Sequence, residues 1–408
     1  MSLLKAVIGR LGGRQVVLAQ AWSLDLKSPI LSAPVTFNDG KEDLIAVGTK
    51  DGRLCVFDLM GKQKWVYGLD QKLTKVDLMF MDEDSAKSIS STPVFSSGSL
   101  IFGSESGSVS SINLSGKKEW EFKTKGAVRA SPLIADINND GTPEILFGSL
   151  DKYMYALNSK GKLAWAFQTD GQIECQPSFL QSTSGNGIVF GTNSGTLYCL
   201  SPDGKEKWRF KIKSPITSTP ACGKVMGTDE IYIAFGAHDN KMYLLNEKGV
   251  KEWEFETNGK IISPAILIDA NNDNRLEVCF GSTDDVLYMV SSSGGKLWQF
   301  ESNFWIASQP IAVSIGAERK EIAIGSYDKT LYLLDAEGEY MLETIPGSSN
   351  LTQDLQNYSG LISKAPGEVQ GKMLAKYKAS GMITGAAAIK KGFVISTSNG
   401  KIEAIINE

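Results

Sequence analysis

The amino-acid sequence predicts an all-β protein, an eight-bladed β-propeller made of four-stranded antiparallel blades. Two observations predict this fold. A tryptophan recurs every 43 to 55 residues, and a glycine stands four residues before most of these tryptophans. Between successive tryptophans lie four short apolar segments, separated by Gly, Asp, Asn and Ser, which are turn residues. Four strands in each unit of about 45 residues are typical of propeller blades.

The third unit shows how each element is assigned. Residues 132–135, 144–147, 153–157 and 163–167 are predicted as strands A to D. The tryptophan and the aromatic residue two positions later share one face of strand D. The glycine lies in the C–D turn, where a positive φ favours it. We therefore expect the tryptophans to pack between blades; the series is Trp22, Trp65, Trp120, Trp165, Trp208, Trp253 and Trp298, continued by Leu342.

The two ends of the repeat predict how the ring closes. Residues 32–344 give seven complete units, the last ending around Leu342. Residues 383–406 supply only strands A to C, and residues 19–26 supply a lone strand D with Trp22. We expect these ends to form the eighth blade of a single domain, 1–408, because closure removes open sheet edges. Two insertions, 66–92 and 345–380, are assigned to D–A connections.

The D–A connections and B–C loops of a propeller emerge on the same face. This face is expected to carry both insertions, the aromatic pair Phe304 and Trp305, and His238, the one histidine of the chain. Long loops gathered on a rigid scaffold are frequent binding sites. We therefore expect a protein partner on the D–A/B–C loop face.

Composition excludes several classes of function. The chain has 42% apolar and 22% charged residues, a net charge of −4 and a pI of about 5.4, without a basic stripe that would bind nucleic acid. No apolar stretch approaches the roughly 20 residues of a membrane-spanning helix. The five cysteines form no C-x-x-C pair, so we expect buried thiols and no zinc site. A monomer is expected.

Two A–B loops contain oxygen side chains at alternate positions. Residues 136–144 read D-I-N-N-D-G-T-P-E, and residues 269–277 read D-A-N-N-D-N-R-L-E. Calcium takes six to eight oxygen ligands, and a sharp turn could bring these oxygens together. The alternative is an Asx-rich turn that binds nothing. The candidate ligands of a structural calcium are Asp136, Asn138, Asp140, Thr142 and Glu144 in the first loop, and Asp269, Asn271, Asp273, Arg275 and Glu277 in the second.

The repeated pattern x-G-K-x-x-W-x-F resembles the tryptophan-docking repeat of the pyrroloquinoline-quinone (PQQ)-like propeller superfamily, over nearly the whole chain. The resemblance implies one of two classes. One contains quinoprotein alcohol dehydrogenases. The other contains non-enzymatic eight-bladed propellers, including the lipoprotein scaffold of the outer-membrane protein assembly machinery. The two acidic loops resemble the calcium loops of the FG-GAP repeats in integrin α chains.

The sequence favours the non-enzymatic class. The resemblance implies a vicinal disulfide over the quinone in the dehydrogenases, and this chain has no Cys-Cys pair. No G-x-S-x-G motif occurs, and His238 has no recognisable partner in sequence. We expect a scaffold without PQQ. A PQQ-dependent dehydrogenase and a calcium-dependent adhesion or carbohydrate-binding module stay open, as does the compartment: extracytoplasmic if a signal preceded Met1, otherwise cytoplasmic.

Overall fold

The computed structural model describes residues 16–70, 82–182, 185–314, 320–340 and 369–407. They form eight antiparallel β-sheets arranged in a ring, which confirms the predicted eight-bladed β-propeller. The A strands of neighbouring blades contact each other all the way around, so they enclose a central channel, and the D strands lie outermost. The hydrophobic core is divided into eight clusters, one between each pair of neighbouring blades.

The strands of the first half follow the predicted order. The first described strand, β1 (Leu18–Asp25), belongs to blade 8. Blades 1 to 4 then each contain four consecutive strands: β2 (Val35–Asn38), β3 (Asp43–Gly48), β4 (Arg53–Asp58) and β5 (Gln63–Gly68); β6 (Val94–Ser96), β7 (Ser99–Gly103), β8 (Ser108–Asn113) and β9 (Lys118–Lys123); β10 (Leu133–Ala135), β11 (Glu144–Gly148), β12 (Tyr153–Leu157) and β13 (Leu163–Gln168); β14 (Ser178–Leu180), β15 (Gly187–Gly191), β16 (Thr196–Leu200) and β17 (Glu206–Lys211).

The second half contains two additional short strands. Blades 5 and 6 are regular, blade 7 is interrupted, and blade 8 takes three strands from the end of the described chain. Their strands are β18 (Ala221–Gly223), β19 (Tyr232–Gly236), β20 (Lys241–Asn246) and β21 (Lys251–Glu256); β22 (Ile266–Ile268), β23 (Glu277–Gly281), β24 (Val286–Val290) and β25 (Lys296–Glu301); β26 (Ile311–Val313), β27 (Glu321–Gly325) and β28 (Thr330–Asp335); β29 (Glu339–Tyr340) and β30 (Val369–Gln370); β31 (Met373–Lys378); and β32 (Ile383–Ile389), β33 (Gly392–Thr397) and β34 (Lys401–Asn407).

The ring closes in blade 8, as predicted. Strand β1 pairs antiparallel with β34, from Leu18 opposite Asn407 to Asp25 opposite Lys401. The observed strands agree to within one residue at each end with the predicted segments 19–26 and 383–406. Closure therefore joins the two ends of the repeat by a continuous ladder of backbone hydrogen bonds.

The repeated tryptophan and glycine are two halves of one contact between neighbouring blades. The indole Nε1 of Trp165 in blade 3 donates to the carbonyl of Pro202 in blade 4 (2.9 Å). A Cβ added to Gly204, in that C–D turn, would lie 2.6 Å from the same indole ring. Four further tryptophans donate to the corresponding carbonyl of the next blade, namely Trp22, Trp208, Trp253 and Trp298. The tryptophans are thus inter-blade packing residues.

The prediction for the outer strand of blade 7 was wrong. Its outer strand is β31 (Met373–Lys378), which pairs with β28, and not the predicted strand ending at Thr344. Leu342 and Thr344 lie outside the described residues. In β31 the tryptophan position is taken by Ala375, opposite Leu333, and the later aromatic position by Tyr377. Blade 8 has no C–D hairpin that could receive an indole from blade 7. The tryptophan pattern therefore fails in blade 7.

The insertions take different forms. The second one falls between strands C and D of blade 7, and not between blades 7 and 8 as predicted. At its two ends β29 and β30 pair with each other, and β30 also pairs in parallel with β25, so the sheet of blade 6 has six strands. The first insertion contains a short helix, α1 (Glu83–Lys87), whose N-cap Asp82 accepts a hydrogen bond from the amide of Ser85 (2.8 Å). Residues 71–81 of this insertion lie outside the described residues.

Candidate functional site

The D–A connections and B–C loops form one rigid rim around the channel, which we call the loop rim. In every blade the amide of a B–C loop residue donates to a carbonyl of the D–A connection that leads into that blade. The eight pairs are Lys50 to Pro29, Glu105 to Ser88, Leu150 to Ala127, Asn193 to Gln172, His238 to Pro215, Thr283 to Lys260, Tyr327 to Trp305 and Ser398 to Met382. Because the same bond recurs in each blade, residues at equivalent positions lie around one circle.

A connected group of polar side chains occupies one part of the loop rim. The Nε of Arg129 donates to Oε1 of Glu105 (2.9 Å), and its Nη1 lies 3.6 Å from Oε1 of Glu174. Glu174 also accepts from the side-chain amide of Asn193 (3.1 Å). The hydrogen bond to Glu105 raises the pKa of Arg129. These four residues connect blades 2 to 4 and form the polar arc, which sequence reasoning missed because they come from separate loops.

His238 extends the polar arc into blade 5. Its Nε2 lies 2.9 Å from the hydroxyl of Thr217. Burial lowers its pKa, and the charge of Lys260 lowers it further, so the imidazole is neutral at pH 7. This hydrogen bond of the ring goes to a hydroxyl group and not to a carboxylate.

Four exposed apolar side chains lie in the D–A connections that lead into blades 7, 8 and 1. Phe304 and Trp305 stack with ring centroids 5.5 Å apart and an interplanar angle of 15°, and they are 45% and 43% exposed. Met382 occupies the position equivalent to Trp305 in the next blade. In the blade after that, Pro29 occupies this position and Leu31 lies two residues later. Met382 and Leu31 are 39% and 46% exposed. We call these four residues the apolar arc. The sequence indicated the aromatic pair but not Met382 or Leu31.

The first acidic loop is closed by hydrogen bonds from its own backbone. Asp136 accepts from the amides of Asp140 (3.0 Å) and Gly141 (2.8 Å). The side-chain nitrogen of Asn138 lies 3.0 Å from Oδ2 of Asp140 and 3.3 Å from Oε1 of Glu144. Thr142 donates to Asp140 through both its amide (2.8 Å) and its hydroxyl. The carboxylates of Asp140 and Glu144, two of the five predicted ligands, therefore converge on a third, Asn138.

The second acidic loop repeats this geometry in part. Asp269 accepts from the amides of Asp273 (3.1 Å) and Asn274 (3.3 Å), and Asp273 accepts from the amide of Arg275 (2.8 Å). Asn271 bonds to Asp273 (3.2 Å). Glu277 is 2% exposed and accepts from the amide of Ala270 (2.7 Å).

Charge supports a cation in the first loop more than in the second. Burial raises the pKa of Glu144, with further increases from Asp140 and Asp136, and the pKa of Glu277 is raised in the same way by burial, Asp273 and Asp269, so the difference between the loops comes from nearby cations. Among the described residues, no three His, Cys, Asp or Glu side chains are already arranged as a metal site. The side-chain nitrogen of Asn138 occupies the point where Asp140 and Glu144 converge, and it donates to both carboxylates. Rotation of its amide would present an oxygen there instead, with loss of the hydrogen bond that its Oδ1 accepts from the amide of Asp140 (2.9 Å). In the second loop, the ammonium of Lys320 donates to the carbonyl of Asp269 and so brings its own positive charge.

The cysteines are free thiols. Four are buried, as expected, and Cys222 is partly exposed on strand A of blade 5. Burial raises the pKa of Cys175 and Cys199 to about 12, so neither is a thiolate at neutral pH. Cys222 lines a cavity of about 410 Å³ in the wall of the channel; the other lining residues are Phe179, Gln181, Lys224, Asp229 and Ile231.

The sequence matches the family model described as "Lambda-carrageenase beta-propeller domain". The match covers residues 99–175, 180–252 and 246–359, which is more than half of the chain. A comparison with curated protein sequences finds no match. No helix in the described ranges is long and apolar enough to span a bilayer.

Solved structures show the same fold at low sequence identity. BamB from Moraxella catarrhalis has a TM-score of 0.66 and 13% identity, with 95% of this chain and 99% of that chain covered. The computationally designed Ika8 protein has a TM-score of 0.67 and 14% identity, covering 97% and 100%. BBS1N, crystallised in complex with ARL6DN, has a TM-score of 0.55 and 11% identity, covering 97% and 98%. These similarities show the propeller architecture.

Proposed function

The chain belongs to the lambda-carrageenase β-propeller domain family, and from this premise we propose that it is a non-catalytic scaffold that binds a protein partner on its loop rim. The observation that carries the proposal is the apolar arc. Phe304, Trp305, Met382 and Leu31 are large apolar side chains, each more than a third exposed, in the D–A connections that lead into three consecutive blades. Exposed apolar patches rimmed by polar residues are typical of interaction sites.

The polar arc suits the same role. In protein interfaces a few aromatic residues contribute most of the binding energy, and surrounding polar residues fix orientation. Trp305 and Phe304 supply the aromatic contacts, while Arg129 is held between two carboxylates on the opposite side of the channel. BBS1N, a structural neighbour, was solved in a protein complex, which supports an interaction role for this architecture.

Site-directed photo-crosslinking in the native host tests the scaffold proposal. A photoreactive phenylalanine replaces Trp305 in one variant. In the control it replaces Met60, which is 81% exposed in a C–D turn on the opposite face. We expect one discrete crosslinked protein at position 305 and none at position 60. The partner, once purified, should bind the wild-type chain and lose affinity for Trp305→Ala by about tenfold or more.

Crosslinks of equal yield at both positions, or full affinity of Trp305→Ala for the purified partner, would contradict the proposal. Met382→Ser provides a second variant in the apolar arc, in a neighbouring blade. If the partner covers the whole arc, this substitution also weakens binding, because it removes apolar area from the same interface.

We further propose that the first acidic loop holds a structural calcium ion. The residues that would bind it are Asp136, Asn138, Asp140 and Glu144, with the backbone carbonyl of Thr142. When bound, calcium supplies positive charge among three carboxylates and braces the A–B loop. The support is the convergence of Asp140 and Glu144 on Asn138. For the second loop the support is smaller, because Asn271 bonds there to one carboxylate, that of Asp273, and Lys320 lies close to Asp269.

Carbohydrate binding is the second candidate function. The stacked rings of Phe304 and Trp305 are both partly exposed, and an exposed aromatic face is a surface on which a sugar ring can stack. The family description also names an enzyme that acts on carrageenan. Isothermal titration with carrageenan oligosaccharides, with and without calcium, distinguishes the two candidates. Saturable binding that disappears in Trp305→Ala favours the carbohydrate function, and no heat of binding leaves the protein-partner function.

A further inference from the structure

Each acidic A–B loop is contacted by the residue that precedes strand B of the next blade. The first loop belongs to blade 3, and Asn186 of blade 4 donates through its side-chain nitrogen to the carbonyl of Ile137 (3.1 Å). The second loop belongs to blade 6, and Lys320 of blade 7 donates through its ammonium to the carbonyl of Asp269. The two loops therefore receive a side chain from the same place in the fold, but one side chain is neutral and the other is positively charged.

Lys320 is held so that its charge stays at the second loop. Its carbonyl accepts a hydrogen bond from the amide of Ala336 (3.0 Å), which fixes its backbone beside the end of strand C of the same blade. Its Nζ also lies 3.8 Å from Oδ2 of Asp269, whose side chain is 18% exposed. Because Asp269 is largely withdrawn from water, the attraction between the two charges is screened less than on an open surface. The ammonium is therefore a cation bound at the acidic loop.

The first loop has no such cation. Within the described part of the chain, no lysine or arginine forms an ion pair with its carboxylates, which are those of Asp136, Asp140 and Glu144. In the second loop, Lys320 and the exposed Arg275 supply two positive charges to three acidic side chains. The mutual repulsion of the carboxylates is therefore partly offset in the second loop and is not offset in the first.

We propose that Lys320 takes the place of a metal ion in the second loop, and that Asn186 leaves the equivalent place open in the first. The inference rests on the calcium ion proposed for the first loop, and it names the residues that decide which loop binds calcium. In the second loop, displacing the ammonium removes its attraction to Asp269, and binding beside it brings two cations together. One loop is thus braced by an ion from solution, and the other is braced by a side chain of the next blade.

Exchange of the two residues tests the proposal. Lys320→Asn introduces into blade 7 the residue that blade 4 carries, so we expect this variant to bind one more calcium ion per chain than the wild type. Asp273→Asn in the same chain should remove the gained ion. Asn186→Lys should lower the affinity of the first loop for calcium by about tenfold or more, because it brings an ammonium to that loop. Equilibrium dialysis counts the bound ions, and calorimetry should show that calcium restores any melting temperature that Lys320→Asn loses.

Lys391→Asn is the matched control. Lys391 is exposed and precedes strand B of blade 8, but the A–B loop of the preceding blade, residues 314–320, lacks the D-x-N-x-D pattern. Its substitution removes the same charge and should leave the number of bound ions unchanged.

Failure of this inference can be told apart from failure of the calcium site in the first loop. A Lys320→Asn variant that binds no more calcium than the wild type would overturn the role of Lys320, even if the wild type binds calcium in its first loop. An ion gained by Arg275→Thr and not by Lys320→Asn would overturn it as well. A wild type that binds no calcium, with a Lys320→Asn variant that binds one ion, would reject the site in the first loop and support the role of Lys320.

Discussion

Gly204 lies directly beneath the indole of Trp165, although the two residues belong to different blades. We predict that Gly204→Ala lowers the free energy of unfolding by about 2–4 kcal/mol. The added Cβ would meet the ring at 2.6 Å, and the backbone there has φ +79°, which disfavours a side chain. Urea unfolding monitored by tryptophan fluorescence measures the loss.

Gly98→Ala separates the two causes in this prediction. Gly98 has nearly the same dihedral, φ +82°, but a Cβ there has nothing within 4 Å. This control should therefore lose only the backbone contribution of about 1–2 kcal/mol. Equal losses in the two variants would show that the contact with Trp165 contributes nothing.

Substitution of Trp298, in blade 6, and of Trp305, in the D–A connection that follows it, should change the stability of the protein by different amounts. We predict that Trp298→Ala costs about 3–5 kcal/mol, because the side chain is 1% exposed and donates to the carbonyl of Ala336 (3.0 Å). Trp305→Ala should change stability by less than about 0.5 kcal/mol, because that side chain is 43% exposed. The same denaturation assay compares them, and a large loss in Trp305→Ala would mean that the apolar arc stabilises the fold.

The hydrogen bond between Tyr377 of blade 7 and Glu403 of blade 8 predicts a loss of stability in alkali. Tyr377 donates to Glu403 (2.9 Å), which is 1% exposed, and burial followed by this hydrogen bond raises the pKa of Tyr377. A tyrosine whose pKa is raised on folding stabilises the protein fully below the unfolded value of about 10 and progressively less above it. We expect the free energy of unfolding to fall between about pH 10 and 12.

Tyr377→Phe should flatten this alkaline dependence. At pH 8 the variant should be less stable by about 1.5–3 kcal/mol, because it removes a hydrogen bond to a charged group. Its stability should then fall less steeply above pH 10 than that of the wild type. Urea titrations at several pH values measure both effects, and parallel curves for the two proteins would contradict the assignment. Part of the fall in stability above pH 10 should remain in the variant, because Tyr155, Tyr243 and Tyr288 donate to carboxylates within other blades.

Calcium should raise the melting temperature of the wild type through the first acidic loop. At a concentration 100 times the dissociation constant, a bound ion contributes about 2.7 kcal/mol. Asp140→Asn should abolish the shift, because it removes a carboxylate that converges on Asn138. Asp273→Asn, the equivalent change in the second loop, should leave most of it. Differential scanning calorimetry with calcium, with magnesium and with chelator makes the measurement; no shift with calcium would reject the site.

The propeller was predictable from sequence because its blades share one inter-blade contact. Each tryptophan requires a glycine in the next blade, so both residues repeat in register and reveal the strand order. The same dependence explains the error in blade 7. Ala375 stands at the tryptophan position of β31, beside a blade without a C–D turn, so no tryptophan indicated that strand.

The loop rim was less predictable because its residues come together only in the closed ring. Arg129, Glu105 and Glu174 lie in three separate loops, and no local pattern relates them. A weak signal existed for the apolar arc, since Trp305, Met382 and Leu31 each adjoin a fully buried isoleucine of a D–A connection. Because those isoleucines pack in the core, the residues next to them in sequence are held on the loop rim. The structure was needed to show that these neighbours are exposed.

The pairing of β1 with β34 also determines when the molecule can be completed during its synthesis. Strand β1 leaves the ribosome early, yet its partner is translated after seven other blades. Until then the nascent chain presents an open edge at Trp22 that a chaperone or another chain could occupy. A circular permutant that begins at β2 and carries β1 after β34 would make the last blade from contiguous sequence, and its co-translational folding should depend less on such protection.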